Sequence, residues 1–136
     1  MIQQGATTIF KRNLLNGLEN FTTGTYKLAL YTAFADLDAN TITYSTTNEI
    51  TGTGYVAGGK VLTNIVPSSS NGVAFISFDT VSWDPAAFTT RGALIYNSVT
   101  NAAVCVLNFG SDKTCNNTFS ITFPPATSSD AVIRIV

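Results

Sequence analysis

The apolar positions of the chain fall into short runs broken by glycine, asparagine and serine. The densest pair, residues 93–96 (ALIY) and 102–107 (AAVCVL), flanks the polar stretch 97–101. Four to six apolar residues bounded by turn formers are too few for a typical helix. The β-branched and aromatic side chains among them favour a pleated backbone, so the stretch predicts a β-hairpin. Neither run alternates with polar residues. Both faces of the hairpin are therefore expected to be covered, one by a second sheet and the other by the N-terminal segment or a partner subunit.

Residues 25–33 (TYKLALYTA) alternate at period two, and further strand signals lie at 61–66, at 73–78 running on toward Val81 and Trp83, at 118–123 and at 131–136. Pro67 with residues 68–72 (SSSNG), Pro85, and Pro124 with Pro125 interrupt these ladders. Seven or eight strands separated by turn signals predict an all-β chain folded as an antiparallel β-sandwich. Its expected core includes Leu94, Ile95, Val104, Val106, Leu107, Phe119, Ile121 and Phe123.

One helix is predicted, within residues 6–20, capped by Thr7 or Thr8 and ending by Asn20. This divides the chain into an N-terminal arm, residues 1–24, and a sandwich domain, residues 25–136. The arm's apolar stripe, Ile9, Phe10, Leu14 and Leu18, is a candidate docking surface for a homo-oligomer. The alternative is that the helix plugs one end of its own sandwich.

Residues 36–60 form a long polar connection with four glycines near its end, Gly52, Gly54, Gly58 and Gly59. Loops longer than about 15 residues in compact domains are usually functional or interfacial. Tyr44, Gly54, Tyr55 and Gly58 are its candidate interface residues. A helical turn is expected over 46–50, and positive φ within 54–59.

Only 11% of residues are charged and 45% are hydrophobic, against about 25% charged in an ordinary soluble domain. Such a surface is poorly defended against association. Seven basic residues against eight acidic ones, scattered along the chain, do not make the clustered phosphate contacts that nucleic-acid binding needs. No apolar run approaches eighteen residues, so neither a membrane span nor a secretory signal is expected. Cys105 and Cys115 are expected to be free thiols.

Residues 54–60 (GYVAGGK) match the first part of a phosphate-binding loop. Val61 stands where a hydroxyl should follow, and the flanks read loop then strand rather than strand then helix. Asp36, Asp38 and Asn40 have the spacing of the first calcium-loop ligands, without the glycine and glutamate that should follow. The chain has no histidine, which removes histidine-based triads and histidine zinc sites. Asp79 with Asp84, or Glu49 with Asp112, are conceivable acid pairs, but nothing in the sequence sets either across one cleft. No enzymatic activity, catalytic residue, cofactor or metal is expected. A reading of another class is a carbohydrate-binding module for host attachment, using Tyr44, Tyr55 and Trp83 as exposed aromatic platforms.

The segments YKLALYTA, TTNEITGTGYVAGGKVLT, TTRGALIYN and VCVLNFGSDKT resemble a family of small virion proteins of tailed bacteriophages. The likeness runs from about Tyr26 to the end of the sequence and is most specific in the pattern TNE-x-x-G-x-G-Y-x-x-GG, residues 47–59. What the resemblance implies is a non-enzymatic structural component assembled in the host cytoplasm and located in the virion. Its expected role is to decorate or cement the capsid, with a neck or tail position as the alternative. The implied partners are copies of itself and other virion proteins such as the major capsid protein.

Overall fold

A computed structural model describes residues 1–63 and 66–136. In chain order its strands are β1 (Gly5–Ala6), β2 (Tyr26–Tyr31), β3 (Lys60–Val61), β4 (Ser68–Ser70), β5 (Val73–Ile76), β6 (Val81–Trp83), β7 (Phe88–Asn97), β8 (Ala103–Cys115), β9 (Phe119–Ile121) and β10 (Ile133–Ile135); the helix α1 (Thr8–Leu15) follows β1. Three sheets result, ordered β1-β8-β7-β2-β3, β10-β5-β4 and β6-β9. Every pairing between these strands is antiparallel. The fold is all-β and sandwich-like, as the pattern predicts.

Ten strands, rather than seven or eight, are present among the described residues. The two unforeseen ones are β1 and β4. In β4, three exposed serines read as turn residues. They nevertheless pair with β5, and the turn shrinks to Asn71-Gly72, both at positive φ, as a two-residue hairpin loop requires. Of the strand expected over 61–66, Lys60–Val61 is seen as β3, while Asn64 and Ile65 lie outside the described residues. The helical turn expected over 46–50 is instead a β-turn closed by Glu49 N–H on the Thr46 carbonyl at 3.1 Å, because Asn48 adopts φ 61°.

The predicted hairpin, β7 with β8, forms the middle of the largest sheet, and its two faces are buried in different ways. On the first face Leu28, Leu30, Phe88, Ala93, Ile95 and Cys105 join a core with Trp83, Ile76 and Phe78 from the smaller sheets and their connections. On the second face Ala29, Tyr31, Leu94, Tyr96 and Val106 meet Ile2, Ala35 and Leu37. The cover on that side is therefore the N-terminal segment together with the 32–50 connection of the same chain. Leu94, Ile95, Val104 and Val106 are fully buried. Leu107, Phe119, Ile121 and Phe123 are only half-buried, since the strands there reach the rim where cover on one side ends.

The first 24 residues do not form a separate arm. Gly5 and Ala6 pair with Val106 and Cys105 as an edge of the central sheet. Thr7 is the N-cap: its hydroxyl accepts the Phe10 N–H at 3.2 Å and donates to the Ala103 carbonyl at 3.0 Å. At the other end Leu18 N–H bonds the Asn13 carbonyl (2.8 Å) and Gly17 N–H the Leu14 carbonyl (3.2 Å), with Gly17 at φ 72°. That Schellman closure stops the helix at Leu15, short of Asn20. Phe10 is 1% exposed within the first core. The helix thus closes its own sandwich with one side, and only its other side is free.

Candidate functional site

The long connection turns back on itself at a single carboxylate. Residues 48–50 run beside β2: Thr32 N–H bonds the Asn48 carbonyl (2.9 Å) and Ile50 N–H the Leu30 carbonyl (3.0 Å), which sets Glu49 opposite Tyr31. Glu49 accepts three hydrogen bonds, from the Tyr44 hydroxyl at 2.6 Å, from the Tyr55 hydroxyl and from the Gly58 N–H at 2.8 Å. The Tyr55 hydroxyl in turn accepts from Leu30 N–H at 3.0 Å. Tyr96 donates to the Gly58 carbonyl at 2.7 Å and stacks on Tyr44 with ring centroids 4.6 Å apart. Tyr31 donates to the Ser45 carbonyl at 2.6 Å.

Three of the four predicted loop residues, Tyr44, Tyr55 and Gly58, therefore converge on one acceptor. Gly54 does not join them; it lies against the Pro85–Ala86 backbone, where a Cβ would stand 1.9 Å from the Pro85 carbonyl oxygen. Burial, reinforced by the neighbouring Glu49 charge, raises the pKa of Tyr31, Tyr44, Tyr55 and Tyr96, that of Tyr96 to about 12. These hydroxyls are donors over the whole physiological range. The cluster fastens the loop: its tyrosines stay neutral and donate to the carboxylate and to backbone carbonyls.

Trp83 is 1% exposed, beneath Lys60 and packed against Phe88 and Phe119. Tyr55 lies beside the same Trp83 and Phe88 rings. Of the three aromatic platforms expected for sugar binding, Trp83 is in the core, while Tyr55 and Tyr44 are half-buried against the first and second cores. Lys60 begins a strand rather than a helix, as the flanks of the partial phosphate-loop match indicate, and its ammonium donates to the Ser82 carbonyl. Asp38 closes a local turn on Asn40 N–H (2.8 Å), and among the described residues no group of three or more His, Cys, Asp or Glu side chains lies together. Asp112 pairs with Arg91 at 3.4 Å on the exposed part of β8, while Glu49 is engaged by its tyrosines. Cys105 and Cys115 are free; burial pushes the Cys105 thiol up to about 12, which leaves it inert.

Another acid, Glu19, is buried; it accepts from Asn97 Nδ2 at 2.7 Å and more weakly from the Tyr26 hydroxyl at 3.4 Å. Its other oxygen has no partner. Burial raises its pKa, against the opposing effect of the Asn97 and Tyr26 hydrogen bonds.

The outward side of α1 and the neighbouring strand β10 form the candidate interface. The four stripe residues divide. Phe10 is in the core, Leu14 and Ile9 are half-buried against the first and second cores, and Leu18 is exposed. Leu15, 90% exposed, and Ile135, 55% exposed, lie on that outer surface. Between α1 and β10 runs a groove of about 400 Å3, lined by Phe10, Leu14, Leu15, Ile133 and Ile135, with Lys11 and Arg134 among its walls. A smaller cavity of about 160 Å3 adjoins it, sharing Phe10, Leu14, Ile133 and Ile135 and reaching Phe75. The helical stripe pointed to one wall of this groove. The other wall could not be read, because β10 alternates in sequence exactly as a strand buried on one face does.

No protein-family model, curated protein or solved structure matches the chain. Among the described residues no helix is long and apolar enough to cross a membrane.

Proposed function

We propose that this chain is a non-enzymatic structural subunit of a tailed-phage virion, one that decorates or cements the capsid by adding buried area between neighbours. The observation that carries the reading is the open apolar groove between α1 and β10, with Leu15 and Ile135 exposed along it, on a chain only 11% charged. Contiguous exposed apolar surface marks a place of contact. The resemblance of residues 47–59 to small virion proteins supplies the particle. Within that pattern Glu49, Tyr55 and Gly58 take part in the hydrogen bonds that fasten the connection to the sheet, which supports a scaffold role for it. Copies of the chain and the major capsid protein are the partners in this reading.

Immunolabelling of purified particles tests it. Regularly spaced label over the head supports decoration, label at the neck or tail selects the alternative position, and particles free of the protein overturn the proposal.

A further inference from the structure

The α1–β10 groove has a strand edge along one wall, an apolar floor and an unbalanced charge. β10 is the terminal strand of its sheet, paired only with β5 through Ile133↔Ile76, Arg134↔Phe75 and Ile135↔Ala74. Its other backbone edge faces no strand among the described residues, and an open edge is a template for one more strand. Ile133 and Ile135 share the face that looks toward Phe10 and Leu14; Arg134 alternates to the other face, meets the groove only at its rim, and donates one guanidinium N–H to the Ser128 carbonyl at 2.9 Å. Lys11 lines the groove as well, and no acidic side chain does. Among the described residues the two ion pairs are Met1–Asp36 and Arg91–Asp112, which leaves Lys11 and Arg134 without an acidic partner.

From this charge pattern we infer that the groove binds an extended segment of a different protein, in which apolar and acidic residues alternate, added as a fourth strand on β10. The inference deepens the structural role proposed above and rests on it for the setting, not for the chemistry. Apolar side chains of the incoming strand enter the groove beside Ile133 and Ile135. Its acidic side chains fall on the other face, where the nearest cross-strand neighbour is Arg134. A second copy of this chain is the poorer occupant. Two-fold antiparallel pairing centred on β10 sets Arg134 opposite its own copy, and like charges directly opposite destabilise a sheet.

The test uses the full chain and two capped hexapeptides, one alternating valine with glutamate and one alternating valine with lysine. NMR of the labelled protein is expected to show the glutamate peptide shifting the amides of Ile133, Arg134 and Ile135, with affinity falling as salt is raised. The lysine peptide is expected to bind at least about tenfold more weakly. Arg134→Glu, at an exposed position whose fold is checked by its unfolding midpoint, is expected to reverse that order. Equal binding of both peptides, shifts confined to the other open edge at β4, no binding at all, concentration-dependent self-association through β10, or binding to anionic lipid vesicles in place of the peptide each overturns the inference. Incorporation into particles separates the two proposals. If Arg134→Glu and Ile135→Pro chains, both folded, enter particles as the wild type does, the groove is not the contact although the virion role stands. Peptide binding by a protein that particles lack leaves the groove and removes the role.

Discussion

The two faces of the central sheet are equally buried but held by different forces. On the first, aromatic and aliphatic side chains pack against the smaller sheets, with Phe88 in edge contact with both Trp83 and Phe119 and those two tilted against each other. On the second, the cover is a connection with little regular structure, and what fixes it is hydrogen bonding of tyrosine hydroxyls and a backbone N–H to Glu49. Apolar packing is additive and tolerant, since many contacts share the load. A hydroxyl–carboxylate network is concentrated, since one acceptor serves several donors and its loss orphans them together. The first face should therefore lose stability in proportion to volume removed, and the second through single atoms.

The largest expected effect is on the apolar side. Ile95→Ala, fully buried in the hairpin, should cost about 2–5 kcal/mol, whereas Leu107→Ala, half-buried on the neighbouring strand, should cost clearly less; chemical denaturation of both measures the ratio. Next comes a pair of glycines in the covering loop. Gly54→Ala drives a Cβ to within 1.9 Å of the Pro85 carbonyl oxygen, but at Gly58 the nearest atom is the Tyr96 hydroxyl at 3.4 Å. Both glycines have positive φ, so Gly58→Ala should carry only backbone strain of about 1–3 kcal/mol, and Gly54→Ala should be worse. Equal melting points for the two would show that the loop moves freely away from Pro85.

Glu49→Gln keeps the shape of the acceptor but removes its charge and one lone-pair-bearing oxygen. A loss of about 1–3 kcal/mol is expected, with faster hydrogen exchange at Gly58 and Leu30 while the amides of β7 and β8 stay protected. Exchange that rises equally everywhere would mean that the second face is not a separate unit. Tyr44→Phe removes one hydroxyl while keeping the stack on Tyr96 and should cost about 0.5–1.5 kcal/mol.

The smallest effect is a pH dependence from Glu19. Its folded pKa lies above the ordinary carboxylate value of 4.5 because of burial. The folded state therefore holds the proton more tightly than the unfolded chain, and the contribution to stability is full below pH 4.5 and lost as pH rises through the folded pKa. Glu19→Gln should flatten that part of the stability profile, with the difference from wild type growing as pH rises out of the acid range. Parallel profiles would show that Glu19 is not the group responsible.

The first face was legible in the sequence and the second only in part: cover by the N-terminal segment was expected, cover by the 32–50 connection was not. The runs 93–96 and 102–107 announce a doubly buried hairpin because apolar continuity is a one-dimensional signal. Glu49 and its tyrosines carry no such signal: Tyr31, Tyr44, Tyr55 and Tyr96 are spread over 66 positions, from 31 to 96, and only the fold brings their hydroxyls to one carboxylate. The glycines at 54 and 58 did announce themselves, since turns with positive φ select that residue. The helix was legible as a helix, but periodicity does not say which partner receives a stripe. It could not distinguish Phe10, which enters the chain's own core, from Leu18, which stays outside. β1 escaped notice because two residues, Gly5 and Ala6, carry no pattern.

Thr7 bonded to residues 103 and 104 of β8, and Gln4 and Ile2 bonded to Asn108 across 104 and 106 positions, also set a schedule. The first strand edge, the helix cap and β2, whose partner β7 lies some seventy positions downstream, all await segments made late. At about 5–20 residues per second, the opening of the chain spends on the order of 5–20 seconds outside the ribosome before β8 exists to receive it. Closure over such separations is slow by its loop entropy, and an apolar strand such as β2 stays unsatisfied meanwhile. The protein is thus finished from its far end backwards, and its yield in the cell should respond to chaperone supply and translation rate more sharply than its final stability suggests.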